Sequence, residues 1–226
     1  MNRRVAALLL ILASSTGLAA DSVTWNENIT AALKQAKDTG KLVFVDFWAT
    51  WCVPCKALDT KVYSDPKVAA ALGKYITLKV DQDAQPIFAK WHNASELPTL
   101  LFLDPSGVEI TRVKGFVAAA KLLPLLDRVV DGYPQFAAAT AKGADVVAIA
   151  SGVDYLLEIG NSERALTLLK GSRKSQPSQL LDLKQAEAEL AAGRDKEAIK
   201  ALERLARDSD IDEIKQRAQE ILARAR

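Results

Sequence analysis

The chain has 226 residues, of which 49% are apolar and 26% are charged, and its formal net charge is +2. These values are typical of a globular protein. They exclude a disordered or collagen-like chain and give no reason to expect a nucleic-acid partner. The two Cys, one His and one Met are too few for a structural zinc module, a Met-rich copper site or a scaffold held by several disulfides.

The first twenty residues have the layout of a secretory signal peptide. Arg3 and Arg4 precede an apolar run over residues 5–12, and small residues follow as far as Ala20. The stretch 5–20 is shorter than the roughly 20 apolar residues that a membrane-spanning helix needs. We therefore expect cleavage near Ala20, an exported protein in an oxidising compartment, and no stable membrane insertion after cleavage. The alternative is an uncleaved anchor.

Residues 21–132 show the hydrophobic periods of alternating helices and strands. The predicted helices cover residues 26–37, a segment from Cys52 onward, and residues 66–72, 86–91 and 118–130. The predicted strands cover residues 42–47, 75–81, 99–103 and 109–113. Helices separate the first strands and a turn joins the last two, so the pattern predicts a mixed sheet with a parallel pair and an antiparallel hairpin.

Two residues are unusual for the elements in which they are predicted. Asp46 places a carboxylate inside an apolar strand, which requires a specific reason because burial of a charge is costly. Pro124 falls inside the last predicted helix of this region. It fits if the regular helix begins near Leu123, and otherwise it predicts a kink.

Cys52 and Cys55 lie three residues apart, where a predicted strand passes into a predicted helix. The N-terminus of a helix directs backbone N–H groups and a partial positive charge at the first sulfur, which lowers the pKa of that thiol. The thiolate is the attacking species in disulfide exchange. Cys52, the outer of the two, is therefore the predicted nucleophile and Cys55 the resolving thiol. The alternatives are half of a zinc site, for which a second pair of ligands is missing, and an inert structural disulfide.

The segment 44–56, FVDFWATWCVPCK, resembles the active-site segment of the thioredoxin superfamily. Residues 97–99 resemble the family's cis-proline loop, and residues 114–116 resemble the region of the glycine before its last helix. The resemblance covers about residues 23–130 and implies an α/β thioredoxin fold, a mixed sheet flanked by helices. Trp25 and the segments 40–45 and 63–68 resemble a narrower group, which contains the C-terminal thioredoxin-like domain of periplasmic thiol:disulfide interchange proteins.

This resemblance implies a thiol–disulfide oxidoreductase whose redox-active disulfide joins Cys52 and Cys55, with no metal and no other cofactor. Asp46 would be the buried carboxylate that exchanges a proton with Cys55, and the alternative is a satisfied Asp at the end of a strand. Pro98 would face the sulfurs in a cis peptide and align a substrate backbone, although a proline before a strand is also ordinary. The implied substrate contacts are Trp51, Pro54, Leu97 and Pro98.

The chain departs from the family pattern at several positions. The family often has a lysine opposite its buried acid, but counting back from Asp81 places Thr77 there, which predicts a different proton relay. The Val53-Pro54 pair and Leu97 are expected to shift the redox potential and the choice of partner. Trp48 is interpreted as part of a pocket or as simple core, Trp51 as a rim residue, and His92 as a surface helix residue.

Residues 133–226 are predicted to be entirely helical and contain a weak internal repeat. The second copy lies 33 residues after the first, and the paired positions are Leu157 and Leu190, Gly160 and Gly193, Ala165 and Ala198, Leu166 and Ile199, and Leu169 and Leu202. This period is close to that of tetratricopeptide repeats, with small residues expected where helices approach closely. The segment 211–226 would cap the stack. The region is interpreted either as a partner-docking surface or as an appendage that stabilises the fold.

The sequence therefore predicts a signal peptide (1–20), a thioredoxin-like domain (21–132) and an α-helical tetratricopeptide-like domain (133–226). The expected function is that of a periplasmic thiol–disulfide oxidoreductase that reduces protein disulfides. A reductant in an oxidising compartment must itself be reduced, which predicts a membrane electron donor. The alternative is a periplasmic chaperone or assembly module that docks clients on its helical domain and uses the thioredoxin fold as a scaffold.

Overall fold

The computed structural model describes residues 22–225, so the predicted signal peptide lies outside the described residues. The strands are β1 (Val43–Trp48), β2 (Ile76–Asp81), β3 (Thr99–Leu103) and β4 (Glu109–Lys114). The helices are α1 (Ile29–Thr39), α2 (Val53–Lys61), α3 (Pro66–Leu72), α4 (Pro86–Trp91), α5 (Ala119–Thr140), α6 (Val146–Glu158), α7 (Ser162–Ser175), α8 (Gln179–Ala191), α9 (Asp195–Asp208) and α10 (Asp212–Ala225). Within the described part of the chain, no helix combines the length and apolar character needed to cross a bilayer.

The four strands form one mixed sheet in the order β2-β1-β3-β4. β1 is parallel to β2 and antiparallel to β3, and β4 is antiparallel to β3, which confirms the predicted thioredoxin fold. Successive side chains of a strand point to opposite faces, so Phe44 packs with α2, α3 and α5 while Val43 and Val45 pack with α1 and α4. Because both faces are covered, β1 is buried and apolar along nearly its whole length.

Local side chains set where the first helices begin. The Asn28 side chain accepts a hydrogen bond from the backbone N–H of Ala31 and caps α1. The helix therefore begins at Ile29, three residues after the predicted start at residue 26. Asn26, which the prediction placed inside the helix, instead pairs with Leu78 in an isolated bridge beside β2. α3 begins as predicted, with Asp65 capping it and Pro66 in its first turn.

The helix predicted over residues 118–130 is longer than the sequence indicated. α5 runs to Thr140 and contains both Pro124 and Pro134, so the regular helix does not begin near Leu123. The missing N–H of a proline removes one backbone hydrogen bond, and packing of the apolar face of α5 against the core outweighs this loss. The division at residue 132 falls within this helix and stays a prediction.

The sheet and the C-terminal helices share one hydrophobic core. A single buried cluster extends from Phe44 of β1 through Leu126 of α5 to Leu156 of α6 and Leu181 of α8. Two hydrogen bonds cross the same contact: the Tyr155 hydroxyl donates to the Val129 carbonyl at 3.1 Å, and the Asn161 amide donates to the Ile110 carbonyl at 2.7 Å. The helices therefore pack directly on the thioredoxin-like part, with apolar contacts as well as hydrogen bonds.

Replacement of Gly132 with Ala is expected to destabilise the protein by about 1–3 kcal/mol. A Cβ atom at this position in α5 would lie 2.2 Å from the ring of buried Tyr155, which its own hydrogen bond holds in place. The matched control is Gly171→Ala in α7, where a Cβ meets nothing within 4 Å. Since Ala is the better helix former, the control should stabilise by up to about 1 kcal/mol. Urea unfolding measures both, and equal effects would contradict the close approach of α5 and α6.

The C-terminal region is all-helical in residues 133–225, as predicted, and its repeat corresponds to the successive helix pairs α6–α7 and α8–α9. The expected reason for the two repeated glycines is wrong. Gly160 and Gly193 adopt φ of 76° and 72° in the turns and have open space around them, so they are needed for left-handed backbone rather than for close packing. Ala165 and Ala198 are fully buried, as close helix packing requires. α10 packs on α8 and α9 at the end of the stack.

Candidate active site

The cysteine pair lies where β1 passes into α2. Cys52 is the N-cap of α2, its Sγ accepts a hydrogen bond from the Cys55 N–H at 3.2 Å, and the two sulfurs form a disulfide. This confirms the predicted location at the start of a helix, where a backbone N–H is directed at the Cys52 sulfur. The two residues are about equally buried, at 2% and 1% exposure, so position on the helix rather than exposure distinguishes them.

An exposed apolar rim surrounds the buried disulfide. Trp51 is 61% exposed, and its indole N–H donates to the Asp83 carboxylate at 2.9 Å, which fixes the orientation of the ring. Val53 and Pro54 in the first turn of α2 are exposed beside it. Exposed aromatic and aliphatic side chains next to a reactive group provide a contact surface for a partner.

The loop before β3 also contributes to the site. The Leu97-Pro98 peptide is cis, as predicted. Pro98 is buried, and its carbonyl accepts a hydrogen bond from the Gly115 N–H at 2.8 Å. Leu97 packs against the buried cluster of Ala49, Cys52 and Cys55. Leu97 therefore lies next to the residues that form the disulfide.

Asp46 is fully buried in β1. Loss of solvation raises its pKa to about 7, even though the nearby Lys79 acts in the opposite direction. The Tyr63 hydroxyl is close enough to lower this pKa slightly, yet neither carboxylate oxygen nor the Tyr63 hydroxyl forms a hydrogen bond of normal geometry among the described residues. A buried carboxyl with this pKa can take up or release a proton near neutral pH.

Lys79, and not Thr77, lies opposite Asp46, so the predicted departure from the family pattern is wrong. The parallel register pairs Asp46 with Lys79, and the Lys79 Nζ is 3.9 Å from the Asp46 Oδ2. Thr77 instead lies opposite Phe44, and its hydroxyl donates to the Thr24 carbonyl. The register between the strands is a property of the folded sheet, and counting along one strand did not supply it.

The Lys79 ammonium group links Asp46 to the protein surface. It forms an ion pair with Asp59, and its Nζ lies 5.2 Å from the Trp48 ring centroid, 5.3 Å from that of Trp25 and 5.8 Å from that of Tyr63. Aromatic faces stabilise a cation that has lost part of its water. The Asp59 side chain is 38% exposed. The order Asp46, Lys79, Asp59 therefore provides a polar connection from the buried carboxyl to solvent.

Sequence reasoning missed three members of this group: Tyr63, Lys79 and Asp59. A signal for Asp59 was present, because it follows Cys55 by four residues and so lies on the same face of α2.

Two other residues named from the sequence also have defined positions. Trp48, interpreted as pocket or core, contacts both Lys79 and the buried cluster that contains Cys52 and Cys55. His92, predicted as a surface residue, is half-buried against Phe88, and burial lowers its pKa. Residues 22–225 contain no group of three potential metal ligands.

Comparison with known proteins finds a matching family model and several relatives. Residues 29–130 match a family model described as a thioredoxin-like domain. The chain is 41% identical to the "Thiol:disulfide interchange protein DsbD" of Salmonella paratyphi A over 100 residues, and 41% identical to that of Yersinia pestis over 101 residues. Each match covers 42% of this chain but only 17% of the relative, so the chain spans less than a fifth of the length of these relatives.

Two solved structures each match about half of the chain. A thioredoxin from Thermus thermophilus is 29% identical, with a TM-score of 0.45, and the match covers 48% of this chain and 88% of that one. A structure described as "DsbH Oxidoreductase" is 18% identical, with a TM-score of 0.43, and covers 53% of this chain and 93% of that one. Residues 29–130 therefore match a thioredoxin-like domain, and this matched segment contains the disulfide-bonded pair Cys52 and Cys55.

Proposed function

We propose that this protein is an exported thiol–disulfide oxidoreductase that reduces disulfide bonds in protein substrates. The observation that carries the proposal is the Cys52–Cys55 disulfide at the start of α2, together with fully buried Asp46, whose pKa is about 7. A structural disulfide has no need of a buried carboxyl that titrates near neutrality, whereas proton transfer during thiol exchange does.

The reaction uses both thiols of the reduced protein. The Cys52 thiolate attacks one sulfur of a substrate disulfide, forms a mixed disulfide, and releases the first substrate sulfur as a thiolate. Cys55 then loses its proton and attacks the Cys52 sulfur, which restores the Cys52–Cys55 disulfide and releases the second substrate sulfur. Two electrons pass to the substrate, and the proton from Cys55 goes to Asp46, from which Lys79 and Asp59 lead to solvent.

The apolar rim provides the contact with the substrate. Trp51 and Pro54 are exposed next to the disulfide, Leu97 packs against the cluster that contains it, and buried Pro98 follows Leu97 through a cis peptide. A polypeptide extended along this rim would bring its own disulfide onto the Cys52 sulfur. These four residues are therefore the proposed substrate contacts.

The leader-like sequence over residues 1–20 and the likeness to a region of thiol:disulfide interchange proteins support a periplasmic location. In an oxidising compartment the disulfide form accumulates unless it is reduced again. We therefore infer that a membrane protein supplies electrons through a dithiol, which exchanges with the Cys52–Cys55 disulfide.

The reduction potential of the purified protein tests the proposed direction. We expect a value between that of thioredoxin, about −270 mV, and that of glutaredoxins, about −200 mV. The reduced protein should cleave the interchain disulfides of insulin, and Cys52→Ser should not. A potential near −120 mV, typical of a strong oxidant, would contradict reduction and make the protein a disulfide donor. Failure to exchange with insulin and with a small dithiol would contradict the activity itself.

The second candidate function is a client-binding module in which the thioredoxin fold serves as a scaffold. It is favoured by a groove among the C-terminal helices, lined by charged side chains of α7, α8 and α9. Deletion of the gene followed by rescue with the Cys52→Ser, Cys55→Ser protein separates the two functions. Full rescue would favour the scaffold function, and loss of rescue would favour thiol chemistry.

A further inference from the structure

A groove of about 670 Å³ lies between α7, α8 and α9, in the part of the chain that the disulfide chemistry does not use. Leu166, Lys170 and Arg173 line it from one face of α7, since they are spaced by four and three residues. Asp182 and Gln185 line it from α8. The charged residues in the lining are Lys170, Arg173, Lys174, Asp182, Arg194 and Arg204.

The groove concentrates positive charge in a region that has no net charge. Residues 133–226 contain 15 basic and 15 acidic residues. Five basic side chains line the groove, but only one acidic side chain does, that of Asp182. Composition therefore does not explain the excess, which results from the way the helices are arranged.

Part of this charge is already neutralised, and part is not. Asp182 forms ion pairs with both Arg173 and Arg204, so one carboxylate serves two guanidinium groups. The Arg194 guanidinium donates hydrogen bonds to both carboxylate oxygens of Glu163, at 2.8 and 2.9 Å. Within residues 22–225, Lys170 and Lys174 are exposed and form no ion pair that the structure shows. The groove thus offers two free ammonium groups beside two guanidinium groups that share one acid.

The size and lining of the groove favour a peptide over other anions. A volume of about 670 Å³ is much larger than a single inorganic anion, so the groove has room for several carboxylates of one chain. Leu166 and Pro177 add apolar surface for the rest of a chain. None of the lining residues is aromatic, so the groove lacks the stacking surfaces on which single-stranded nucleic acids depend.

We propose that this groove binds an extended acidic segment of a partner protein. The carboxylates of that segment would pair with the ammonium groups of Lys170 and Lys174. Charge complementarity of this kind governs specificity and the rate of association. The proposal goes beyond thiol exchange. Binding should be the same with the Cys52–Cys55 pair replaced by serines, so its outcome is separate from that of the insulin assay.

Fluorescence anisotropy with the full chain tests the proposal. The probe is a labelled octapeptide of alternating Glu and Ala, and its comparison peptide has Gln in place of each Glu. We expect the Glu peptide alone to bind, more weakly as salt rises. The double variant Lys170→Glu, Lys174→Glu should lose at least about tenfold in affinity, which is a change of about 1.4 kcal/mol. Circular dichroism and an unchanged urea-unfolding midpoint show that the variant is folded.

The matched control is Lys196→Glu, Lys200→Glu. These two lysines have the same spacing on α9 and are exposed, but they do not line the groove. The control should bind within about twofold of the original protein. Equal losses in both double variants, no loss in the groove variant, or no binding of the Glu peptide would each overturn the proposal. Tighter binding of an oligo-dT strand or of phosphatidylglycerol vesicles than of the Glu peptide would overturn the class of partner.

Discussion

Replacement of Cys55 with Ser is expected to stop turnover and to leave Cys52 joined to its protein partner. Cys55 is the thiol placed to break the mixed disulfide, since its sulfur is bonded to that of Cys52 in the oxidised protein. Without it, the first exchange still occurs and the second cannot. Insulin reduction should fall by at least about 10³-fold, the scale seen when a residue essential to covalent catalysis is removed.

The trapped species identifies the natural partner. Cells that express the Cys55→Ser protein should contain a complex that is stable in denaturant and dissociates on reduction, and mass spectrometry of that complex names the partner. The Cys52→Ser protein is the control and should form no such complex, because Cys55 lies within α2 and lacks the N-cap position that Cys52 occupies. A complex formed by Cys52→Ser and absent from Cys55→Ser would reverse the roles of the two cysteines.

Replacement of Asp46 with Asn is expected to stabilise the oxidised protein by up to about 4 kcal/mol above pH 7. The carboxyl has a pKa of about 7 in the folded protein and an ordinary value of 3.8. Between these values the folded state binds more protons than the unfolded state, so the stability of the original protein falls as pH rises from about 4 to 7. Above pH 7 the full cost of burying the charge is present, and the neutral amide avoids it.

Urea unfolding across this pH range measures the effect. The gain from Asp46→Asn should be largest at pH 8, decline between pH 7 and 4, and reach a constant value below pH 4. The control is Asp38→Asn, which removes an exposed carboxylate from a surface pair with Lys34 and should change little. A gain that does not vary with pH would contradict a raised Asp46 pKa.

The same substitution should slow the second step of exchange. Without a carboxyl to accept its proton, Cys55 must lose that proton directly to solvent. In the original protein we expect the rate of mixed-disulfide resolution to depend on pH around 7, and Asp46→Asn should remove that dependence. Asp46→Asn thus makes the protein more stable and less active, as expected where function requires an unfavourable buried group.

Several features followed from the sequence by itself. The periods of the apolar residues predicted the nine elements of the sheet part in the correct order, because side-chain direction repeats every two residues in a strand and every 3.6 in a helix. The CVPC sequence between strand and helix predicted that Cys52 lies at a helix N-terminus. Asp46 was identified as unusual, because a charge inside an apolar strand contradicts its surroundings.

Tertiary structure decided the features that depend on distant partners. Lys79 faces Asp46 because of the register between β1 and β2, which no count along one strand reveals. α5 continues to Thr140 because the C-terminal helices cover it, although two prolines and Gly132 argue against a helix there. The basic groove exists because folding gathers Lys170, Lys174 and Arg204 from a neutral sequence. Sequence pattern determines local conformation and burial. Contacts between residues far apart in the chain set the register of the strands, the packing of the helices and the local electrostatic field.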